Sequence, residues 1–385
     1  MQKINIILLG SYPPPYHGSS IYLRGLTDLL LKDGDFKVYI VDSSDKKNDI
    51  SNMGKIDFSN VYFSLKALFS LTFILILKKI DILYVPISQN KLAYLRDGIA
   101  VILGKVFRTK VIIHLHGSYF LEFYEKSSSF YKKFIDFTMK SSAGAIVLGN
   151  NLRYLFEKWF NDNQIFVLPN FVEYHIKSIN LQNNTYNNGK LVKLTYLGNI
   201  IESKGILQVI NAVEELLQNN NNISLQIIGK FGEDPFTGMQ EDKIKNIIID
   251  IVNKYPEHIK YLGQITDIGK KISVLKNETD IFVFPSWYPV EGQPLVIIEA
   301  MQCGLPIIST KNCGAIEETV IEGYNGILVE KRNVKQLVNA IEVLIKDEQL
   351  RKRMGENSRK LYEENYRPEK HIEKFKEIIK SVLNS

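Results

Sequence analysis

The chain has 385 residues, 45% of them hydrophobic and 23% charged, and a formal net charge of +6 at pH 7. That length is too great for one ordinary core and implies two domains of roughly 170–190 residues with the composition of a soluble globular enzyme. Lys and Arg are scattered rather than blocked, which argues against nucleic acid while leaving room for an anionic ligand or membrane surface. The two cysteines, Cys303 and Cys313, exclude a disulfide framework or a CxxC metal site and fit a reducing cytosol.

The first apolar run, residues 4–9, is only six residues long and ends in Gly-Ser-Tyr-Pro, so it reads as a buried strand and not as a secretory signal. Further strands are expected at residues 37–41, 82–85, 110–115, 145–148 and 165–168. Helices such as 20–31 and 92–107 fall between them, the alternation of a parallel α/β sheet. After the first strand comes Gly10-Ser11-Tyr12-Pro-Pro-Pro-Tyr16-His17-Gly18-Ser19-Ser20. It reads either as a proline turn closed by a Ser N-cap or as a glycine loop that approaches a ligand at Gly18. Asp33-Gly34-Asp35 lies between helix and strand, where Asp and Gly make turns, and is not expected to hold metal.

Residues 67–77 are the most apolar stretch, but Lys66, Lys78 and Lys79 bound it short of the ~20 residues of a membrane span. A core helix is expected first and an interfacial helix second. Ile113-His114-Leu115-His116-Gly117 ends a strand with both histidines on one face. No third ligand of fitting spacing suggests a metal, so His116 is either a structural hydrogen-bonder or a ligand-edge residue. Phe130, Phe134 and Phe137 follow helical spacing with Lys132, Lys133 and Lys140 on other faces. An amphipathic core helix is favoured there over a membrane-surface helix. Leu168-Pro169-Asn170 closes this half, and the asparagine-rich residues 173–190 read as a linker.

The pattern then restarts, with strands expected at residues 193–197, 224–228, 259–262, 281–284, 307–309 and 327–329. Their carboxyl ends form the ligand edge of a second α/β unit. Leu197-Gly198-Asn199-Ile-Ile-Glu202-Ser203-Lys204-Gly205 follows the first of these strands, and its glycines and Lys204 suit a diphosphate. Gly229-Lys230 and Gly263-Gln264 follow the next two. From Phe284 to Thr310 the chain reads F-P-S-W-Y-P-V-E-G-Q-P-L-V-I-I-E-A-M-Q-C-G-L-P-I-I-S-T. Pro294 suits a first helical position, and Gly304 with Pro306 ends that helix. Glu291 therefore precedes a helix N-terminus and Glu299 lies inside the helix. Two carboxylates eight residues apart suit two ends of one long ligand better than a close dyad. Glu299 sits in an apolar segment and needs a partner, so a structural ion pair or cap is the alternative for it. Gly314-Ala-Ile-Glu317-Glu318 opens another helix. After Val334 the chain reads as helical, with Pro368 breaking it before a last amphipathic helix at residues 371–383.

The run from Glu291 to Pro306 resembles the E-x7-E signature of the retaining glycosyltransferases of family 4, the group 1 transferases with the GT-B fold. The resemblance covers nearly the whole chain and is strongest over residues 194–329. It implies an α/β protein of two doubly wound, Rossmann-like domains facing a cleft. Residues 1–172 would form the acceptor-side domain, 173–190 the linker and 191–365 the donor-side domain, with 366–385 a helix returning to the first. By the same resemblance Glu291 would contact the donor sugar, Glu299 the nucleotide ribose, and Lys204 with Asn199 the diphosphate. Gly198, Gly18 and the helix start Gly292-Gln293-Pro294-Leu295 would also approach the phosphates. His116 would meet the sugar from the first domain, and Gly229 and Lys230 would lie near the base.

Four departures stand out. Asn199 replaces a common Arg, Ser19 a second glycine and Gln293 a common aromatic, and Trp287-Tyr-Pro-Val290 lengthens the link to Glu291. The implied reaction moves a sugar from a nucleotide diphosphate sugar, expected to be UDP-linked, to a glycan or lipid-linked saccharide. Anomeric configuration would be retained, as in bacterial surface polysaccharide synthesis. No essential metal or other cofactor is expected. The implied setting is cytoplasmic, with room for peripheral contact with the inner membrane and none for nucleic acid. A non-catalytic partner subunit of the same fold would be expected to lack Glu291, Lys204 or His116. An epimerase or phosphorylase would need a different base constellation or a cofactor lysine, neither of which is visible.

Overall fold

A computed structural model of the chain describes residues 3–14, 17–45, 58–172, 191–219 and 221–385. The chain divides into two compact units, Met1–Phe171 with Pro368–Ser385, and Val172–Arg367. The linker expected at residues 173–190 lies outside the described residues.

In the first unit β1 (Ile4–Gly10), β2 (Phe36–Asp42), β3 (Ile82–Ile87), β4 (Lys110–Leu115), β5 (Gly144–Val147) and β6 (Ile165–Val167) form one parallel sheet. The strand order is β2-β1-β3-β4-β5-β6. Ile6, Ile7, Leu8 and Leu9 are all buried, as expected of a central strand covered on both faces. The helices are α1 (Gly18–Lys32), α2 (Phe58–Leu77), α3 (Lys91–Val106), α4 (Phe120–Glu125) and α5 (Ser129–Ser141). α1 begins at Gly18 and not at Ser20, because His17 is the cap. His17 Nδ1 accepts from the Ser20 N–H at 3.2 Å while Ser20 Oγ accepts from the His17 N–H at 3.1 Å.

Two expectations for helices of this unit are corrected. α2 is not a plain core helix: Ala67, Leu71 and Leu75 are buried, but Phe69, Phe73 and Ile76 on the other side are exposed. On α5 only Phe134 packs inward, against Tyr94 and the Cα of Gly98, whereas Phe130 is 82% exposed and Phe137 is also exposed. The residues that α5 buries are Ile135, Thr138 and Met139.

The second unit restarts with β7 (Val192–Leu197), α6 (Ile206–Gln218), β8 (Ile223–Ile228), α7 (Glu241–Lys254), β9 (Ile259–Tyr261) and α8 (Ile268–Asn277). It continues through β10 (Ile281–Phe284), α9 (Leu295–Gln302), β11 (Ile307–Thr310), α10 (Ile316–Thr319), β12 (Gly326–Val329), α11 (Val334–Lys346) and α12 (Glu348–Asn365). All strands are parallel, in the order β12-β11-β10-β7-β8-β9. Ile206, Val209, Ile210, Val213 and Leu216 form the inward stripe of α6. Burying each such side chain contributes about 1.5–3 kcal/mol relative to leaving it in water. Pro294 caps α9 from outside in extended backbone, with ψ of 120°, so Leu295 is the first helical residue.

The last helix, α13 (Pro368–Asn384), belongs to the first unit. The expected break falls just before Pro368, which itself opens this helix ahead of residue 371, since its fixed φ and missing N–H suit a first turn. Phe375, Ile378, Ile379 and Val382 join Ile6, Leu8 and Tyr84 in one core. Lys376 pairs with Asp33 at 3.1 Å and with Asp35, which gives the Asp-Gly-Asp turn a structural role.

Candidate active site

The strand order of the second unit reverses between the parallel neighbours β7 and β10, since β8 follows on one side of the pair and β11 on the other. In open parallel sheets a crevice forms at the carboxyl ends of such a pair. The segments leaving these two strands carry Lys204 and Glu291, and the two side chains meet there: Lys204 Nζ donates to Glu291 Oε2 at 2.6 Å. Ser286 Oγ donates to the same oxygen at 2.7 Å. Both charged side chains are largely buried, and the Lys204 ammonium also lies 4.4 Å from the centre of the Tyr288 ring.

Local backbone contacts fix this meeting. Gly205, with φ of 82°, lets the Lys204 turn lie against Pro285, whose carbonyl oxygen would be 2.1 Å from a Cβ there. The Trp287 N–H donates to the Ser203 carbonyl at 2.8 Å, and Asp234 Oδ2 accepts from the Ser203 N–H at 2.6 Å. The Trp-Tyr-Pro-Val insertion thus becomes a clamp: Trp287 is buried under the Arg332 guanidinium, 3.7 Å from its ring centre. Burial pushes the Tyr288 hydroxyl up to about 12, so it stays neutral beside Glu291. On the other side of Glu291 stands Gly314, φ 55°, whose Cβ would lie 2.1 Å from the Gly292 oxygen and 2.4 Å from that of Glu291.

Glu299 is buried inside α9 and accepts from Lys271 Nζ of α8 at 2.6 Å. Gln293 turns into the protein and donates to Thr319 Oγ1 at 2.9 Å. The Asn199 side chain is exposed, while its carbonyl accepts from the Tyr196 hydroxyl at 3.1 Å. Gly198 and Gly229 end β7 and β8, with the Gly198 N–H bonded to the Ile228 carbonyl and the Gly229 N–H to that of Gly263. Lys230 is half-buried beside them. Burial pushes the Cys303 and Cys313 thiols up to about 12, which makes them inert fillers.

In the first unit Gly18 opens α1, and among the described residues nothing lies within 4 Å of where its Cβ would stand. His116 lies just beyond β4, its ring 4.0 Å from that of His114 and 4.4 Å from that of Tyr22. Burial pulls His116 down to about 3, with Asn170 opposing, so the ring is neutral near pH 7. Burial also pulls His17 down to about 4. His114 bonds Tyr84 at 2.6 Å, and His371 bridges Tyr22 and the Pro169 carbonyl at 3.0 Å each. A carbonyl only accepts, so His371 carries its proton on Nδ1, and Nε2 accepts from Tyr22.

Sequence reasoning singled out Lys204, Glu291 and Glu299 but missed Ser286, Lys271 and Asp234. A serine after a strand, an aspartate in a polar loop and a lysine on an amphipathic helix carry no signal until the partner carboxylate or backbone is placed. Among the described residues no group of three or more His, Cys, Asp or Glu side chains is placed to hold a metal ion. No helix among them is long and apolar enough to cross a membrane.

Residues 179–361 match the family model of the glycosyl transferases group 1. An uncharacterized glycosyltransferase of Methanocaldococcus jannaschii is 29% identical over 287 residues, 72% of this chain and 70% of that protein. The capsular polysaccharide biosynthesis glycosyltransferase CapM of Staphylococcus aureus is 32% identical over 171 residues, 44% of this chain and 41% of its own length. Among solved structures, HepE of Anabaena in complex with UDP superposes with a TM-score of 0.69 at 17% identity, covering 98% of this chain and all of that one. With its parallel six-stranded sheets, the chain has the GT-B fold, and over residues 179–361 it is similar to the group 1 glycosyl transferases.

Proposed function

We propose that the chain transfers a sugar from a nucleotide diphosphate sugar, UDP-linked, to a glycan or lipid-linked saccharide, with retention at the anomeric carbon. The observation that carries this reading is the Lys204–Glu291 pair at the reversal point of the second sheet. Lys204 would meet the charge that develops on the departing diphosphate. Screening is weak in a largely buried site, and a preorganised ammonium needs no rearrangement there, so no essential metal is required. Glu291 Oε2 is occupied by Lys204 and Ser286, so Oε1 would accept from a donor-sugar hydroxyl. The N-terminus of α9, from Gly292 through Gln293 and Pro294 to Leu295, would offer backbone N–H groups to phosphate. Glu299, oriented by Lys271, would take the ribose hydroxyls. Gly198, Asn199, Gly229 and Lys230 would line the nucleotide side through backbone and stem, since the Asn199 side chain points to solvent. In the first unit Gly18 would approach phosphate, and neutral His116 would donate or accept one hydrogen bond with the sugar.

The UDP bound to HepE and the capsular role in the name of CapM support the donor and acceptor classes. A cytoplasmic setting in bacterial surface polysaccharide synthesis follows from that proposal. Turnover tests it: nucleotide release from UDP-hexoses and UDP-N-acetylhexosamines, with the product anomer read by NMR. Glu291→Gln, which keeps an acceptor for Lys204, is expected to lower kcat by roughly 10²–10³ with the fold intact. Unchanged turnover in that variant, or an inverted anomer, would overturn the assignment.

A further inference from the structure

The outer face of α2 carries a feature that neither the fold nor the donor site needs. Tyr62, Leu65, Phe69, Phe73 and Ile76 recur at i, i+3, i+7, i+11 and i+14, and all are exposed, Phe69 to 76%. At 3.6 residues per turn they fall within roughly 80° of the helix circumference. The face on the other side, Ala67, Leu71 and Leu75, is already packed in the protein. Among the described residues α2 is therefore apolar on both sides and covered on only one, whereas an ordinary surface helix is polar outward.

The neighbouring helices also expose apolar residues. α3 packs against both α2 and α5. It adds exposed Leu92, Leu95 and Val106, and α5 adds Phe130 and Phe137. The charges on this layer have one sign. Lys66 on α2 and Lys78 and Lys79 just beyond it are exposed, as are Lys105 on α3 and Lys133 and Lys140 on α5. None of the described carboxylates of these helices is exposed. Asp97 is buried against Arg96 at 2.6 Å, and Asp136 accepts from the Trp159 indole at 2.7 Å. On the adjoining α4, Glu122 and Glu125 pair with Lys126 and Lys132.

We propose that this layer docks on an anionic membrane surface, with α2 lying in the plane of the interface. An aromatic stripe rimmed by lysines, with the exposed Glu122 and Glu125 of adjoining α4 each paired to a lysine, complements acyl chains below and anionic headgroups beside them. Lysine stems reach outward while their ammonium groups stay hydrated at headgroup level. A protein partner fits less well, because lysine is depleted in protein–protein interfaces. None of these residues was assigned to the donor site, so the proposal stands apart from the functional reading above.

Sedimentation of the full chain with vesicles tests it. Vesicles of phosphatidylcholine with about one-third phosphatidylglycerol are expected to bind the chain at least tenfold more tightly than phosphatidylcholine alone, and less so as salt rises. The double substitution Phe69→Ser, Phe73→Ser should weaken binding at least tenfold. Lys78→Glu with Lys79→Glu, which leaves the apolar face intact, should also weaken it on the order of tenfold. Both pairs are exposed, so thermal melts should match the wild type, and the charge variant decides the matter if the serine variant melts early. Absence of vesicle binding, or binding unchanged in both variants, would overturn the proposal. So would a concentration-dependent dimer that the serine variant dissolves without any change in vesicle binding.

Discussion

Lys204 and Glu291 are 87 positions apart in the chain and 2.6 Å apart in space. Each was visible in the sequence by its motif. That they share an ion pair was not, because the pairing depends on β7 and β10 being sheet neighbours. The same limit hid Ser286 and Lys271, whose roles exist only relative to Glu291 and Glu299. It also hid the buried bond of Gln293 to Thr319, which depends on where α10 falls. The histidines of the first unit carry a prediction at this scale. His371 is buried and held down to about 3 by that burial, well below its ordinary 6.5. Between those values the unfolded chain binds a proton that the folded chain refuses, so stability is intact above pH 6.5 and falls as pH drops below it. At pH 5 the loss is about 2 kcal/mol for this group. Thermal melts at pH 7 and pH 5 should show a drop in melting temperature that shrinks in His371→Gln. An equal drop in both proteins would assign the acid sensitivity to other groups.

Among the elements, the strands were legible nearly to the residue, because continuous apolar runs closed by Gly, Pro or Asn mark buried parallel strands. Helix ends were less so. Pro294 stays just outside the helix it was expected to open, while Pro368 marks the expected break between α12 and α13 and itself opens α13, since proline's fixed φ is compatible with both positions. The outward faces of α2 and α5 were not readable, because an apolar residue carries no mark of whether anything covers it. The loop that holds Glu291 gives a prediction at this level. Gly314 has φ of 55° and backs directly onto the Glu291 and Gly292 carbonyls. Gly314→Ala should therefore shift that loop, lowering turnover by at least tenfold and stability by about 1–3 kcal/mol. Wild-type turnover in this variant would show that the loop tolerates displacement.

On the scale of the whole molecule, two runs of strand–helix alternation build two parallel six-stranded sheets, and the last helix returns to the first unit. The fold class was legible because strand–helix alternation with buried strands has few other solutions. Whether both units act on one substrate is a property of their arrangement, which no local pattern encodes. The account's central claim concerns the second unit: a nucleotide diphosphate held between Lys204 and the start of α9, with its ribose on Glu299. Calorimetry with UDP, GDP and ADP tests it most directly, with and without EDTA, on wild type, Lys204→Ala and Glu299→Ala. The account predicts tight binding of UDP, indifferent to EDTA and at least tenfold weaker in each variant. Binding of none of the three nucleotides, or UDP affinity unchanged in both variants, would contradict it.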